Sequence, residues 1–216
     1  MFKKIIFIFH GTLVLLLLGC VNALPPEQTA PQINLSLHNN KISFAVLDKR
    51  PYVVNDDKSP EFEGIIRSGY GIPYSYQTPT DQPMSVYLTQ RMSIGFKNKG
   101  IETVTVKTDP KMKINKVITE LSSYRNKSFL FILNEWKYDY HGFSDGSWYD
   151  INIIVVDKSG EKLLIKNFQG KNNIPDTGTI IMSASPTAIS NEMQKIYKQR
   201  FEQIFSDAEV IKALTS

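Results

Sequence analysis

Residues 128–139 read Ser-Phe-Leu-Phe-Ile-Leu-Asn-Glu-Trp-Lys-Tyr-Asp, SFLFILNEWKYD. Whether they form a strand decides the fold. Aromatic and branched apolar residues fit a pleated, half-buried surface, so the stretch reads as a strand. Side chains on a strand alternate between faces, which puts Trp136, Tyr138 and, just beyond, Tyr140 on one face. Two further strands follow, Trp148 to Asp157 and Lys162 to Phe168, joined by Lys158-Ser159-Gly160-Glu161. Links this short connect antiparallel neighbours, and the three strands form a meander.

Towards the amino terminus the apolar period changes. Ile114, Val117, Ile118 and Leu121 share one helical face within Ile114 to Arg125. Met84, Leu88, Met92 and Phe96 recur every four residues until Gly100 closes that helix. Ile101 to Lys107 alternates as a strand between the two helices, and Ile42-Ser43-Phe44-Ala45-Val46-Leu47-Asp48 opens the folded part as another. Beyond the meander, a polar loop around Pro175-Asp176-Thr177-Gly178 leads to a helix from about Pro186 to Phe205. Its apolar stripe is Ile189, Met193, Ile196, Tyr197, Phe201, Ile204 and Phe205. The order of elements implies an α/β (α+β) two-layer sandwich. One mixed sheet of about five strands carries three helices, mainly on one face, because strand-helix-strand units need right-handed crossovers. There is no internal repeat.

Between the first strand and the first helix lies Lys49 to Pro79, with four tyrosines, four prolines and three glycines. It is too long for an idle connection. Phe62, Ile65, Ile66 and Ile72 give it more apolar character than a disordered segment has, so it is expected to be ordered against the domain. Ordered loops on a rigid scaffold often carry binding residues, and arginine and aromatic side chains often dominate binding energy. The candidates are Arg50, Arg67, Tyr70 and Tyr74 in this segment and Trp136, Tyr138 and Tyr140 on the meander. The three meander aromatics either pack beneath a helix or the loop, or form an open recognition surface. Each arginine either anchors a partner or makes a local salt bridge.

Several chemistries are set aside. His141-Gly142-Phe143-Ser144-Asp145-Gly146 contains G-x-S-x-G, but a nucleophile elbow needs a strand, a turn and a helix, with a histidine after the serine. Both flanks here are strands and no histidine follows His141. Asp145-Gly146 reads as a hairpin turn instead. A zinc site would need His141 with carboxylates such as Asp139, Asp145 and Asp150, an unspecific set. No phosphate-binding loop or dinucleotide fingerprint is present. No catalytic residue, cofactor or metal is therefore expected.

The chain opens with Lys3 and Lys4, continues through an apolar run to Leu18, and reaches Gly19-Cys20. A charged start, a short apolar region and a small residue before the cut make a secretory signal. The apolar span is shorter than a transmembrane helix requires. Residues 1–19 hold two of the 25 basic residues and none of the 21 acidic ones, so the net charge falls from +4 to +2 on cleavage. So small a surplus gives nucleic acid no electrostatic hold. Cys20 is the sole cysteine, which excludes an internal disulfide. The expected organisation is a signal at 1–19, a lipidated Cys20 with a flexible Pro-rich tether to residue 40, and one domain over 41–216.

Leu17-Leu18-Gly19-Cys20 resembles the lipobox of bacterial lipoproteins, which implies diacylglyceryl modification of Cys20 and cleavage before it. More than one acyl chain makes a stable anchor. By the same resemblance, Val21 implies the outer membrane, with the domain facing the periplasm. The lipobox, the strand ending in Asp48-Lys49-Arg50, the helix before Gly100, the meander and the final helix together resemble the YajG-like family of outer-membrane lipoproteins. They are also similar to the sandwich of the TolB amino-terminal domain. The segment from Arg50 to Thr80 is longer than in the YajG pattern. The expected function is a non-enzymatic lipoprotein that binds a protein partner in the envelope, as an assembly or accessory factor. The alternative is binding of glycan or lipid on aromatic platforms.

Overall fold

The computed structural model describes residues 23–37, 39–141, 146–175 and 185–216. In chain order its strands are β1 (Lys41–Asp48), β2 (Phe62–Arg67), β3 (Pro73–Gln77), β4 (Glu102–Thr105), β5 (Ser128–Tyr140), β6 (Gly146–Val156) and β7 (Lys162–Asn172). Its helices are α1 (Pro26–Thr29), α2 (Pro51–Val54), α3 (Met84–Asn98), α4 (Ile114–Ser123), α5 (Pro186–Ser206) and α6 (Ala208–Thr215). All seven strands join one mixed sheet. The expectation of about five strands and three helices is therefore corrected to seven and six among the described residues.

β5 organises the sheet. One side of it pairs along its whole length with β6, antiparallel, and β6 pairs with β7. The other side is shared. β1 runs parallel to its first half, Ser128 to Leu133, and β2 runs parallel to its end, Tyr138 to Tyr140. β4 lies outside β1, and β3 lies outside β2.

The two-layer expectation also needs correction. The chain leaves β1 through α3 to reach β4, then returns past β1 through α4 to reach β5. Two crossovers of the same hand taken in opposite directions put their helices on opposite faces. Accordingly α3, α5 and α6 line the larger core, with Phe44, Phe129, Phe131 and Ile153, whereas Val117, Ile118 and Leu121 of α4 line a smaller one with Ala45, Leu47, Leu130 and Ile154. β1 serves both cores by simple alternation: Ile42, Phe44 and Val46 point one way, Ala45 and Leu47 the other. The larger core is built on rings. Phe44 stacks on Phe129 at 4.9 Å, and Phe205 meets Phe96, Phe129 and Phe131 edge-on. Burying each such side chain contributes about 1.5–3 kcal/mol.

Along β5 the alternation changes step. Phe129, Phe131 and Leu133 face the larger core, and so do Trp136, Tyr138 and Tyr140, although the second trio has the opposite parity. The register with β6 shifts between Leu133 and Glu135, so one extra residue is accommodated there and the core face is kept.

Two segments read as irregular are built into the fold. Within Lys49 to Pro79 the chain forms the β2–β3 hairpin, tied to β5. The segment read as a flexible tether up to residue 40 packs on the domain from Leu24 to Leu37. Ile33, Leu35 and Leu37 are buried in the larger core between exposed Gln32, Asn34 and Ser36. The Leu24 amide donates to Asn191 Oδ1 at 2.9 Å and the Gln32 amide to Glu202 Oε1 at 2.8 Å. Gly95 of α3 admits this strap, since a Cβ there would lie 2.5 Å from the Pro31 carbonyl oxygen. The period-2 spacing of Ile33, Leu35 and Leu37 is a strand-like signal, masked by the neighbouring prolines and asparagines.

Candidate functional site

Of the six large hydrophobic residues exposed among those described, three lie close together on the β2–β3 hairpin: Tyr70 at 96 %, Ile72 at 53 % and Tyr74 at 52 %. The turn that presents them is ordered by its own hydrogen bonds. The Gly71 amide donates to the Ser68 carbonyl at 2.8 Å, the Ser68 amide to the Ile72 carbonyl at 2.9 Å, and the Ile72 amide to Ser68 Oγ at 3.2 Å. Serine hydroxyls commonly close turns in this way.

Arg67 anchors the hairpin to the meander. Its guanidinium makes a two-pronged ion pair with Asp139, Nε to Oδ1 at 2.8 Å and the second nitrogen to Oδ2 at 2.7 Å. The hydrogen bond and the charge of Asp139 raise the pKa of Arg67 above its ordinary value. Beside this pair opens a hollow of ≈ 310 Å³ lined by Arg67, Asp139, His141, Trp148 and Lys171. The Lys171 ammonium sits 5.1 Å from the centre of the Trp148 ring. The hollow thus offers an aromatic wall and a cation, with Asp139 already engaged. Among the described residues no group of histidine, cysteine, aspartate and glutamate could hold a metal ion. Asp150 accepts instead from Asn134 and Asn167.

The sequence candidates divide sharply. Arg67, Tyr70 and Tyr74 come together on the hairpin. Arg50 does not join them: it is wholly buried and pairs with buried Asp48, Nη2 to Oδ2 at 2.7 Å. It also donates to the Phe62, Trp136 and Pro60 carbonyls. Burial pulls its pKa down, yet the hydrogen bond and charge of Asp48 more than offset this, and the net shift is upward. Arg50 is a pin that fastens the base of β2 to β5.

Trp136, Tyr138 and Tyr140 also leave the candidate surface. All three are buried in the larger core. Trp136 packs on Tyr197 at 4.8 Å and on Phe201 at 5.8 Å, so α5 covers the face that might have been a platform for a ligand. The sequence raised His141 and Asp139 only as members of an unspecific zinc set, and Trp148 and Lys171 were not among its binding candidates. Lys171 carries no local signal, because only the pairing of β6 with β7 brings it opposite Trp148. Cys20, Ser144 and Asp145 lie outside the described residues.

No family model matches the chain, and no curated protein matches it by sequence. Among solved structures, it is similar to a Xanthomonas campestris protein of the DUF330 family, with TM-score 0.50 and 11% identity over 85% of this chain and 95% of that one. This likeness shows a shared fold. Lipoprotein GNA1162 from Neisseria meningitidis also matches, with TM-score 0.29 and 11% identity over 74% of this chain and 97% of that one. A homolog of a neuraminyllactose-binding hemagglutinin from Helicobacter pylori matches with TM-score 0.35 and 11% identity, covering 83% and 90%. No helix among the described residues is long and apolar enough to cross a membrane.

Proposed function

We propose that this chain is a non-enzymatic lipoprotein of the bacterial envelope, anchored in the outer membrane through Cys20, that binds a protein partner with its β2–β3 hairpin. The observation that carries the reading is the exposure of Tyr70, Ile72 and Tyr74 on one ordered hairpin. Aromatic residues held out on a fixed turn lose little freedom on binding, and such residues often supply the dominant contacts of an interface. The Arg67–Asp139 pair keeps that turn at a set angle to the meander. The likeness of the lipobox and of the order of elements to YajG-like lipoproteins supports a place in the envelope. The glycan reading stands second, favoured by the hollow under Trp148.

Crosslinking in intact envelopes, followed by recovery of the tagged chain, tests the proposal. Wild type is expected to retain a discrete protein partner. The double variant Tyr70→Ala/Tyr74→Ala is expected to lose about 2 kcal/mol or more of binding, roughly thirtyfold in affinity, with its thermal midpoint nearly unchanged. Recovery of cell-wall glycan in place of protein, sensitive to Trp148→Ala, would establish the second reading. Equal recovery of partner by wild type and the tyrosine variant would remove the hairpin from the interface.

A further inference from the structure

Behind the same hairpin lies a buried acid. β2 and β3 fall out of register between Phe62 and Gly64, so Glu63 is the extra residue of a β-bulge. A bulge re-aims a side chain relative to the strand's alternation. Here Glu63 is turned inward, with only 1 % of its surface exposed.

The groups around it come from every neighbouring element. Tyr87 and Arg91 approach from α3, Tyr138 from β5, Tyr197 from α5 and Arg50 from the segment after β1, with Tyr76 of β3 beside Tyr138. Arg200 of α5 lies further along, its guanidinium 5.7 Å from the Tyr197 ring centre. The enclosure is tight on the hairpin side, where the Tyr138 ring occupies the space a Cβ on Gly64 would need, 2.5 Å away.

The polar atoms in this enclosure are poorly satisfied. Glu63 Oε1, the hydroxyls of Tyr87 and Tyr197, and Arg91 Nε are buried without a hydrogen-bond partner among the described residues. The Tyr197 hydroxyl approaches the carboxyl but does not complete a well-formed bond. The second guanidinium nitrogen of Arg91 is spent on Gln194 Oε1 at 2.9 Å. A carboxylate placed here would be dehydrated and under-paired, which is the condition that favours its neutral form.

We propose that Glu63 is a proton-binding site that latches the β2–β3 hairpin: with a proton on the carboxyl the hairpin lies closed against α3 and α5, and loss of that proton releases it. Burial pushes the Glu63 carboxyl up to about 8, against the opposing hydrogen bond of Tyr197 and the charges of Arg91 and Arg50. The hairpin is the element that yields. Its ties to the body of the sheet are the short register of Gly64–Ile66 with Tyr138–Tyr140 and the part-exposed Arg67–Asp139 ion pair, and among the described residues its other strand, β3, pairs only with β2. Arg50 holds the Phe62 carbonyl at 2.7 Å, so the base stays fixed and the movement pivots at the bulge. Release hydrates the carboxylate and moves Tyr70, Ile72 and Tyr74 together. The effect on recognition rests on the function proposed above, whereas the latch itself does not.

Hydrogen–deuterium exchange of the chain alone, without any partner, tests the latch separately from that function. Exchange of residues 64–77 is measured from pH 6 to 9.5 and corrected for the intrinsic pH dependence of amide exchange. Wild-type protection is expected to fall as the pH rises from 6 to about 8 and to level off above it. Below about 8 the open form, with its ordinary carboxylate value of 4.5, gains on the closed one by about tenfold per pH unit, and above it the ratio is constant. Glu63→Gln is expected to stay protected throughout. In Tyr197→Phe the levelling-off moves to higher pH, because the hydroxyl that favours the carboxylate is gone. Flat protection in wild type, or an equal fall in Glu63→Gln, would overturn the latch. Should the variants fail to fold, the Glu63 side-chain carbon of wild type, followed by NMR, still decides: titration in the ordinary carboxylate range near 4.5 refutes it, and titration near 8 supports it.

Discussion

At the scale of single residues, two charged groups show how differently burial acts. Glu63 has a folded-state pKa raised to about 8 from 4.5. Below 4.5 it is protonated in both folded and unfolded chains and costs nothing. As the pH rises the unfolded chain ionises first, so stability is progressively lost until about pH 8, after which the loss is constant. Glu63→Gln is therefore expected to stabilise the protein at pH 7 by on the order of 3 kcal/mol, and to have little effect near pH 4. Urea denaturation of both proteins at the two pH values checks this. Arg50 behaves in the opposite sense, because its partner Asp48 is buried with it. Arg50→Ala leaves Asp48 unpaired and is expected to cost about 3–5 kcal/mol. The double variant Arg50→Met/Asp48→Asn is expected to recover part of that loss, measured as a double-mutant cycle. Residue type alone does not separate an anchoring arginine from a pinning one. Arg50 and Arg67 look alike in the sequence, and only their surroundings assign one to the interior and the other to the surface.

At the scale of elements, the strap from Leu24 to Leu37 is the clearest gain over sequence reading. It lies against α3 and α5, with Pro31 packed over Gly95. Gly95→Ala sets a methyl against the Pro31 carbonyl and is expected to cost about 1–3 kcal/mol, in the range of overpacked cores. Limited proteolysis should then cut between Leu24 and Leu37 in the variant at a protease dose that spares wild type. α3, α4 and α5 were legible because each shows its apolar positions at helical spacing, and their starts agree with the structure at Met84, Ile114 and Pro186. The β2–β3 hairpin was not. Phe62-Glu63-Gly64-Ile65-Ile66-Arg67 lacks clean alternation, since the bulge at Glu63 breaks it, and β3 at the sheet edge is Pro73-Tyr74-Ser75-Tyr76-Gln77, mostly polar and aromatic.

At the scale of the whole molecule, anchoring is the property to test first. Cys20→Ala is expected to abolish incorporation of labelled palmitate and to move the protein from the membrane to the soluble fraction after lysis. Equal labelling of wild type and variant would refute lipidation. By itself, the sequence determined the mixed class of the fold, the meander, the three main helices and the single cysteine on which the proposed anchoring rests. These follow from composition and from local periodicity, both of which are properties of neighbouring residues. Tertiary structure alone decided that helices cover both faces of the sheet, because that follows from the order β4-β1-β5 and two crossovers in opposite directions. It also decided that Trp136, Tyr138 and Tyr140 are core while Tyr70 and Tyr74 are surface. A ring on a strand is apolar on either face, and which face α5 covers is set by residues some sixty positions away in the chain.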